Sequence, residues 1–101
     1  MSADFSITKE ATDKIRNLLK EHEGRHGITA VPAIVWVDSN LNNQIKESQP
    51  AIGFYSNRSE IDGQTTVVNG LELVIAVADQ DRIHFRGKVL DYEGGRFVLK
   101  G

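Results

Sequence analysis

The chain has 101 residues, a mass of 11.2 kDa and a formal net charge of -2, and 40% of its residues are hydrophobic. This length predicts one domain over residues 1–101 with one modest core, and the hydrophobic content excludes a disordered chain. Because the chain contains no cysteine, disulfides, thiolate nucleophiles and cysteine-held zinc or iron-sulfur clusters are excluded.

An apolar stripe at helical spacing predicts an amphipathic helix over residues 9–23. Thr8 is a suitable N-cap, because its hydroxyl can accept a hydrogen bond from an amide of the first turn. Gly24 is expected to end the helix in the left-handed conformation. The stripe consists of Ile7, Ala11, Ile15, Leu18 and Leu19.

The next segments predict a β-hairpin. Residues 31–37 are apolar on both faces and rich in β-branched side chains, which is typical of a strand buried on both sides. Residues 38–44 are polar and turn-prone, and residues 51–56 return to a strand pattern. The two strands are therefore expected to pair through a long connection.

Two further hairpins are predicted in the second half of the chain. Asn69-Gly70, a dipeptide typical of tight turns, separates the strand segments 65–68 and 71–78. Glu93-Gly94-Gly95 separates the segments 89–92 and 96–99.

These elements predict an α+β, β-rich fold with the N-terminal amphipathic helix packed on small antiparallel β-sheets. The core outside the helix is expected to contain Ile34, Trp36, Phe54, Leu73, Ile75, Val77, Leu90 and Phe97. The sequence has no long apolar run and begins Met-Ser-Ala-Asp, so we expect no signal peptide, no membrane span and a cytoplasmic location.

Two stretches resemble the HesB-like family, whose members include the A-type carriers of iron-sulfur cluster assembly. The start of the chain, residues 5–15, is similar to the family's opening strand residue, capping Thr and Ala-containing helix. Residues 70–79, then Gly87 to Tyr92 and Gly95 to Phe97, resemble its C-terminal pattern: a hydrophobic strand ending in Asp, a short connection, an aliphatic-Asp-Tyr strand and a Gly-x-Phe strand. The resemblance implies a HesB-like domain.

The family's cluster ligands have no counterpart here. The resemblance places one cysteine in a Gly-rich turn after the first long strand, where residues 38–44 contain neither Gly nor Cys. It places a cysteine pair in a C-terminal tail, and here the chain ends at Gly101, directly after the last predicted strand. A fold can persist without its site. We therefore expect a family-like scaffold without cofactor, which contacts a partner protein, with a role in iron or sulfur metabolism as the family implies.

Two histidines suggest a metal site as an alternative. His22 and His26 lie four residues apart, and on an unbroken helix this spacing places both imidazoles on one face, as divalent-metal binding requires. Gly24 is expected to break that helix. The competing interpretation is a solvated polar helix end.

A basic segment suggests a site for an anion. Arg82, His84, Arg86 and Lys88 alternate along the sequence, and an extended strand would align them on one face. The family resemblance instead implies a short helical connection, which would scatter them. Residues 82–101 have five basic and two acidic side chains, a net charge of +3, whereas the whole chain is negative. The negative total argues against nucleic acid as a partner.

Other candidates have weaker support in the sequence. Asp79 and Asp81 could offer oxygen ligands to a cation, but such a pair more often begins a turn. No nucleophile elbow, zinc-protease motif, phosphate loop or dinucleotide fingerprint is present. We therefore predict a non-enzymatic accessory or protein-binding domain, with a small-ligand, anion or histidine-based metal-binding module as the alternative and a homo-oligomer left open.

Overall fold

The structure is a computed structural model that describes residues 5–38 and 48–101. Its described elements, in chain order, are strand β1, helix α1 and strands β2 to β7. Their bounds are Ser6–Ile7 for β1, Lys9–His26 for α1, Val31–Val37 for β2, Gln49–Tyr55 for β3, Gln64–Val68 for β4, Leu71–Ile75 for β5, Val89–Glu93 for β6 and Arg96–Lys100 for β7. Two short 3₁₀ helices cover Arg58–Glu60 and Asp79–His84.

Helix α1 begins as predicted and ends three residues later than predicted. The Thr8 hydroxyl oxygen accepts a hydrogen bond from the Ala11 amide at 3.1 Å, which confirms the N-cap. Gly24 is helical, and the left-handed residue is Gly27, with φ of 68° and an N–H that donates to the Glu23 carbonyl at 2.8 Å. The expectation that Gly24 ends the helix is therefore wrong. A glycine inside a helix costs only about 1 kcal/mol relative to alanine, and a second glycine downstream supplies the left-handed cap.

The strands form two mixed sheets. A four-stranded sheet has the order β3-β2-β5-β4 and a three-stranded sheet has the order β1-β6-β7. All three predicted hairpins are present as antiparallel pairs, β2 with β3, β4 with β5 and β6 with β7. However, β2 pairs with β5 and β1 pairs with β6 in parallel. The α+β, β-rich fold is confirmed, and the expectation of purely antiparallel sheets is corrected.

Two-residue turns close the second and third hairpins. Asn69 and Gly70 have φ values of 51° and 80°, and Gly94 and Gly95 have values of 64° and 82°. Two successive left-handed residues form the turn that matches the twist of antiparallel strands. The Asn69-Gly70 prediction is confirmed.

The core lies between helix α1 and the sheets. Five of the predicted strand residues are buried in one cluster with Ile15 of the helix, and these five are Ile34, Leu73, Ile75, Val77 and Leu90. Trp36 and Phe97 are partly buried against this cluster. Phe54 is only half-buried and stacks on His22 instead, which corrects its assignment to the core. Phe85 is 2% exposed and completes the core, although it lies in the basic segment.

Candidate functional site

Two recesses flank the place where the two sheets meet. Strands β3 and β7, each at the edge of its own sheet, lie next to one another. The recesses have volumes of about 300 Å³ and about 340 Å³. They share a wall formed by Gln49 and Pro50 of β3 and by Arg96 and Phe97 of β7. Each volume is at the lower end of the range for small-ligand sites.

The first recess, which we call the Trp36 recess, ends at a stacked pair of rings. Its remaining lining residues are Trp36, Ser48, His84, Val98 and Leu99. The His84 imidazole lies on the Trp36 indole with ring centroids 4.3 Å apart and an interplanar angle of 6°. Phe85 also meets the indole edge-on, with ring centroids 5.7 Å apart. Phe85 is buried in the core, so this contact links the indole to the core. His84 is the last residue of the 3₁₀ helix Asp79–His84, which places its ring at the recess.

The second recess, which we call the Tyr92 recess, lies beside helix α1. Its remaining lining residues are Lys14, Leu18, Ala51, Ile52, Tyr92 and Gly95. The Lys14 ammonium lies 5.2 Å from the centre of the Tyr92 ring, within cation–π range. Tyr92 meets the shared-wall residue Phe97 edge-on at 4.9 Å. Helix α1 thus contributes Lys14 and Leu18 to a surface whose other lining residues lie in β3, β6, β7 and the turn between β6 and β7.

The charged groups of the two recesses have one sign. Among the described lining residues, the side chains that carry positive charge are Lys14, Arg96 and, when protonated, His84, and none is a carboxylate. The two carboxylates of β6, Asp91 and Glu93, both bind the Lys100 ammonium, at 3.0 and 2.6 Å. The recesses therefore combine aromatic and aliphatic walls with positive charge, which suits a ligand that is both apolar and acidic.

Asp91 holds the strand beneath the Tyr92 recess against the helix. Its carboxylate accepts hydrogen bonds from the Thr8 hydroxyl at 2.7 Å and from the Tyr92 amide at 2.8 Å, in addition to the Lys100 ion pair. These contacts lower the pKa of Asp91 to about 2, and the hydrogen bond from Thr8 makes the largest contribution. The Lys100 pKa is raised, first by Glu93 and then by Asp91. This network is structural, since all its polar groups are engaged with one another.

The predicted basic face does not form. The segment 79–84 is a 3₁₀ helix, so the helical alternative is the observed one and the extended alternative is wrong. Arg82 forms an ion pair with Asp79 at 3.5 Å, His84 stacks on Trp36, and the side chains of Arg86 and Lys88 follow after the helix on the exposed surface. His84 lines the Trp36 recess, and Arg82 lines a separate cavity of about 10 Å³ beside Phe5 and Phe85.

Asp79 and Asp81 begin the 3₁₀ helix, in the manner of a turn-initiating pair. Asp79 is exposed and binds the Arg82 guanidinium, and both aspartates lie in the first turn. Within residues 5–38 and 48–101, no group of three or more His, Cys, Asp or Glu side chains could hold a metal ion.

The His22 and His26 rings are brought together. Since helix α1 continues through Gly24, both imidazoles lie on one face with ring centroids 4.5 Å apart. Phe54 of β3 also stacks on the His22 ring, with centroids 5.0 Å apart. The expectation that Gly24 separates the two histidines is therefore corrected, and the pair is a candidate two-ligand site.

Sequence reasoning did not find the recesses. Arg96 and Leu99 are predicted only as strand residues and Lys14 only as a helix residue, and Pro50 lies outside the predicted strand 51–56. The recesses depend on how β3 approaches β7 across two separate sheets, and no local pattern signals that contact. The sequence offers only a general indication, the presence of both aromatic and basic residues in the segment 84–97.

Comparison with known proteins establishes the fold alone. No protein-family profile matches the chain, and no curated protein matches it. Among solved structures, the chain is similar to a protein from Aquifex aeolicus, determined by solution NMR by the Northeast Structural Genomics Consortium. The match covers 100% of this chain and 94% of that chain, with a TM-score of 0.65 and 19% sequence identity. In the described part of the chain, no helix is both long and apolar enough to cross a membrane.

Proposed function

We propose that this chain is a non-enzymatic, cytoplasmic accessory domain that binds an acidic segment of a partner protein in the Trp36 and Tyr92 recesses. One observation carries the proposal: two adjoining recesses with aromatic walls contain cationic side chains and no carboxylate among their described lining residues. Such a surface differs from the rest of the chain, whose net charge is negative.

The shape of the recesses suggests how the partner segment binds. The two recesses lie on either side of the wall formed by Gln49, Pro50, Arg96 and Phe97. A segment that crosses this wall can place one apolar side chain in each recess, because aromatic pockets are the sites that contribute most to protein recognition. Carboxylates beside those apolar side chains would face Lys14 and Arg96. Charge complementarity of this kind raises the association rate and rejects basic partners.

The resemblance to the A-type carriers supports a partner from iron or sulfur metabolism. The domain itself would not carry the cluster, since the chain has no cysteine and soft thiolates are the ligands that clusters require. Incubation of the protein with ferrous iron and sulfide under anaerobic conditions should therefore leave no protein-bound visible chromophore. A stoichiometric cluster band would contradict an accessory role without cargo.

The decisive experiment is selection of binding segments from random peptides displayed on phage. Selected peptides should be enriched in Asp or Glu next to aromatic or aliphatic residues. Titration of a selected peptide into labelled protein should shift the amide resonances of β3 and β7 and the indole resonance of Trp36. Selection of neutral or basic peptides, or shifts confined to β4 and the Asn69-Gly70 turn, would overturn the proposal.

A charge-matched pair of variants tests the recesses directly. Lys14→Glu with Arg96→Glu reverses two cations of the recesses, whereas Lys20→Glu with Arg25→Glu reverses two exposed cations elsewhere on helix α1. Both variants change the net charge by the same amount. Only the first should abolish binding of the selected peptide. Equal losses in both would mean that binding depends on overall charge and not on the recesses.

A further inference from the structure

The end of helix α1 carries a pair of imidazoles that the binding surface above does not use. His22 is half-buried and His26 is exposed, and they occupy successive turns of an unbroken helix. Their ring centroids are 4.5 Å apart with an interplanar angle of 49°. Neither ring lines the Trp36 or Tyr92 recess.

The separation of the rings fits chelation of one metal ion. An imidazole nitrogen binds a divalent metal at about 2 Å, which places the ring centre roughly 3 Å from the ion. Two such rings at neighbouring coordination positions then have their centres about 4 to 5 Å apart, as His22 and His26 do. The ion would occupy the solvent side of the pair, and water would complete its coordination.

The surroundings restrict His22 and favour a positive charge. Phe54 stacks on the His22 ring with an interplanar angle of 22°, which limits the orientations of that ring. The Glu23 carboxylate is engaged by the Ala30 amide at 2.8 Å and is therefore directed to the backbone. The pair lies in the last two turns of the helix, where the helix dipole places partial negative charge and stabilises cations.

From this geometry we infer that His22 and His26 bind one late first-row divalent cation, with affinity in the order Cu²⁺ above Ni²⁺ and Zn²⁺. Two neutral imidazoles are ligands suited to all three ions, and the general order of stability places Cu²⁺ first. Because the bound ion connects two turns of α1, it also stabilises the end of the helix before Gly27.

The test is calorimetric titration of the protein with Cu²⁺, together with electron paramagnetic resonance of the bound ion. We expect one Cu²⁺ per chain with a nitrogen-ligand signature. His22→Ala or His26→Ala should each weaken binding by roughly tenfold or more, since even outer-shell partners of metal ligands contribute about 10–100-fold. Retention of full affinity in either variant would overturn the inference, as would the absence of a nitrogen signature.

A variant with the same number of histidines tests whether Cu²⁺ binding depends on the spacing of the histidines or only on their number. Glu21→His with His22→Ala keeps two histidines in helix α1 but places them five residues apart, at positions 21 and 26, where they no longer share a face. Position 21 is exposed, so the replacement should leave the fold intact, which circular dichroism would verify. This variant should lose Cu²⁺ affinity as His22→Ala does. Wild-type affinity in it would mean that binding needs only histidine content.

Discussion

Thr8 and Asp91, which lie 83 positions apart, are joined by a hydrogen bond of 2.7 Å. The same Thr8 oxygen that donates to Asp91 accepts from the Ala11 amide and caps helix α1. The start of the helix is thus attached directly to strand β6, and β6 carries Tyr92 into its recess. The Thr8 hydroxyl therefore both caps the helix and fixes the helix start to the three-stranded sheet.

Removal of that hydroxyl should destabilise the protein. Thr8→Ala loses both the helix cap and the bond to Asp91, and loss of a cap alone costs about 0.5–2 kcal/mol. Thr8→Ser keeps the hydroxyl and should be close to wild type. Urea denaturation of the two variants measures the difference. Equal stabilities for Ala and Ser would mean that the hydroxyl contributes nothing to either contact.

The Asp91 network should make stability depend on acid pH. The pKa of Asp91 is about 2 in the folded protein and near 3.8 when the chain is unfolded. Because the folded value is the lower one, the carboxylate's contribution is fully present above its unfolded pKa and is lost as the pH falls toward 2. Asp91→Asn cannot titrate, so it should be less stable at neutral pH and should lack this part of the acid transition.

Denaturant unfolding of wild type and Asp91→Asn at several pH values between neutrality and 2 measures this difference. The two stabilities should converge as the pH falls. A difference that stays constant over the whole range would show that Asp91 acts through packing and not through its charge.

Replacement of glycine by alanine should change the stability of the protein in opposite directions at Gly63 and Gly24. A Cβ at Gly63 would lie 2.3 Å from the Ile75 carbonyl oxygen, whereas a Cβ at Gly24 meets nothing within 4 Å. Gly63→Ala therefore forces the backbone apart and should cost about 1–3 kcal/mol, as overpacking does. Gly24→Ala lies inside a helix and should stabilise the protein by about 1 kcal/mol or less. Thermal unfolding compares the two, and a stabilised Gly63→Ala would contradict the close approach.

The parts of the fold that depend on neighbouring residues, such as the start of the helix and the tight turns, can be predicted from the sequence. Thr8 begins the helix because a hydroxyl satisfies amides of the first turn, and Asn69-Gly70 closes a hairpin because both residues accept positive φ. The end of the helix was not predictable in this way. Gly24 and Gly27 are both suitable caps by residue type, and packing of the last turn against Phe54 of β3 is known only from the folded chain.

The parallel strand pairs and the recesses also cannot be predicted from local sequence patterns, because they depend on contacts between distant segments. The β1–β6 and β2–β5 pairs join segments that are distant in the sequence, so no turn dipeptide between the strands predicts their pairing. The shared wall of the recesses needs Pro50 and Phe97 from different sheets to meet. The sequence predicts His84 as part of a basic segment, whereas in the structure its imidazole stacks on the indole of Trp36.

The stack of His84 on Trp36 gives the last prediction, because Trp36 is the sole tryptophan of the chain. His84→Ala removes the ring that covers one face of the indole, so the fluorescence emission of Trp36 should shift to longer wavelength as water reaches it. The stability should fall by about 0.5–1.5 kcal/mol, the usual contribution of an aromatic pair. His84→Phe keeps a flat ring and should preserve both the emission and the stability. If His84→Phe behaves like His84→Ala, the imidazole must act through a polar contact and not through its stacked face.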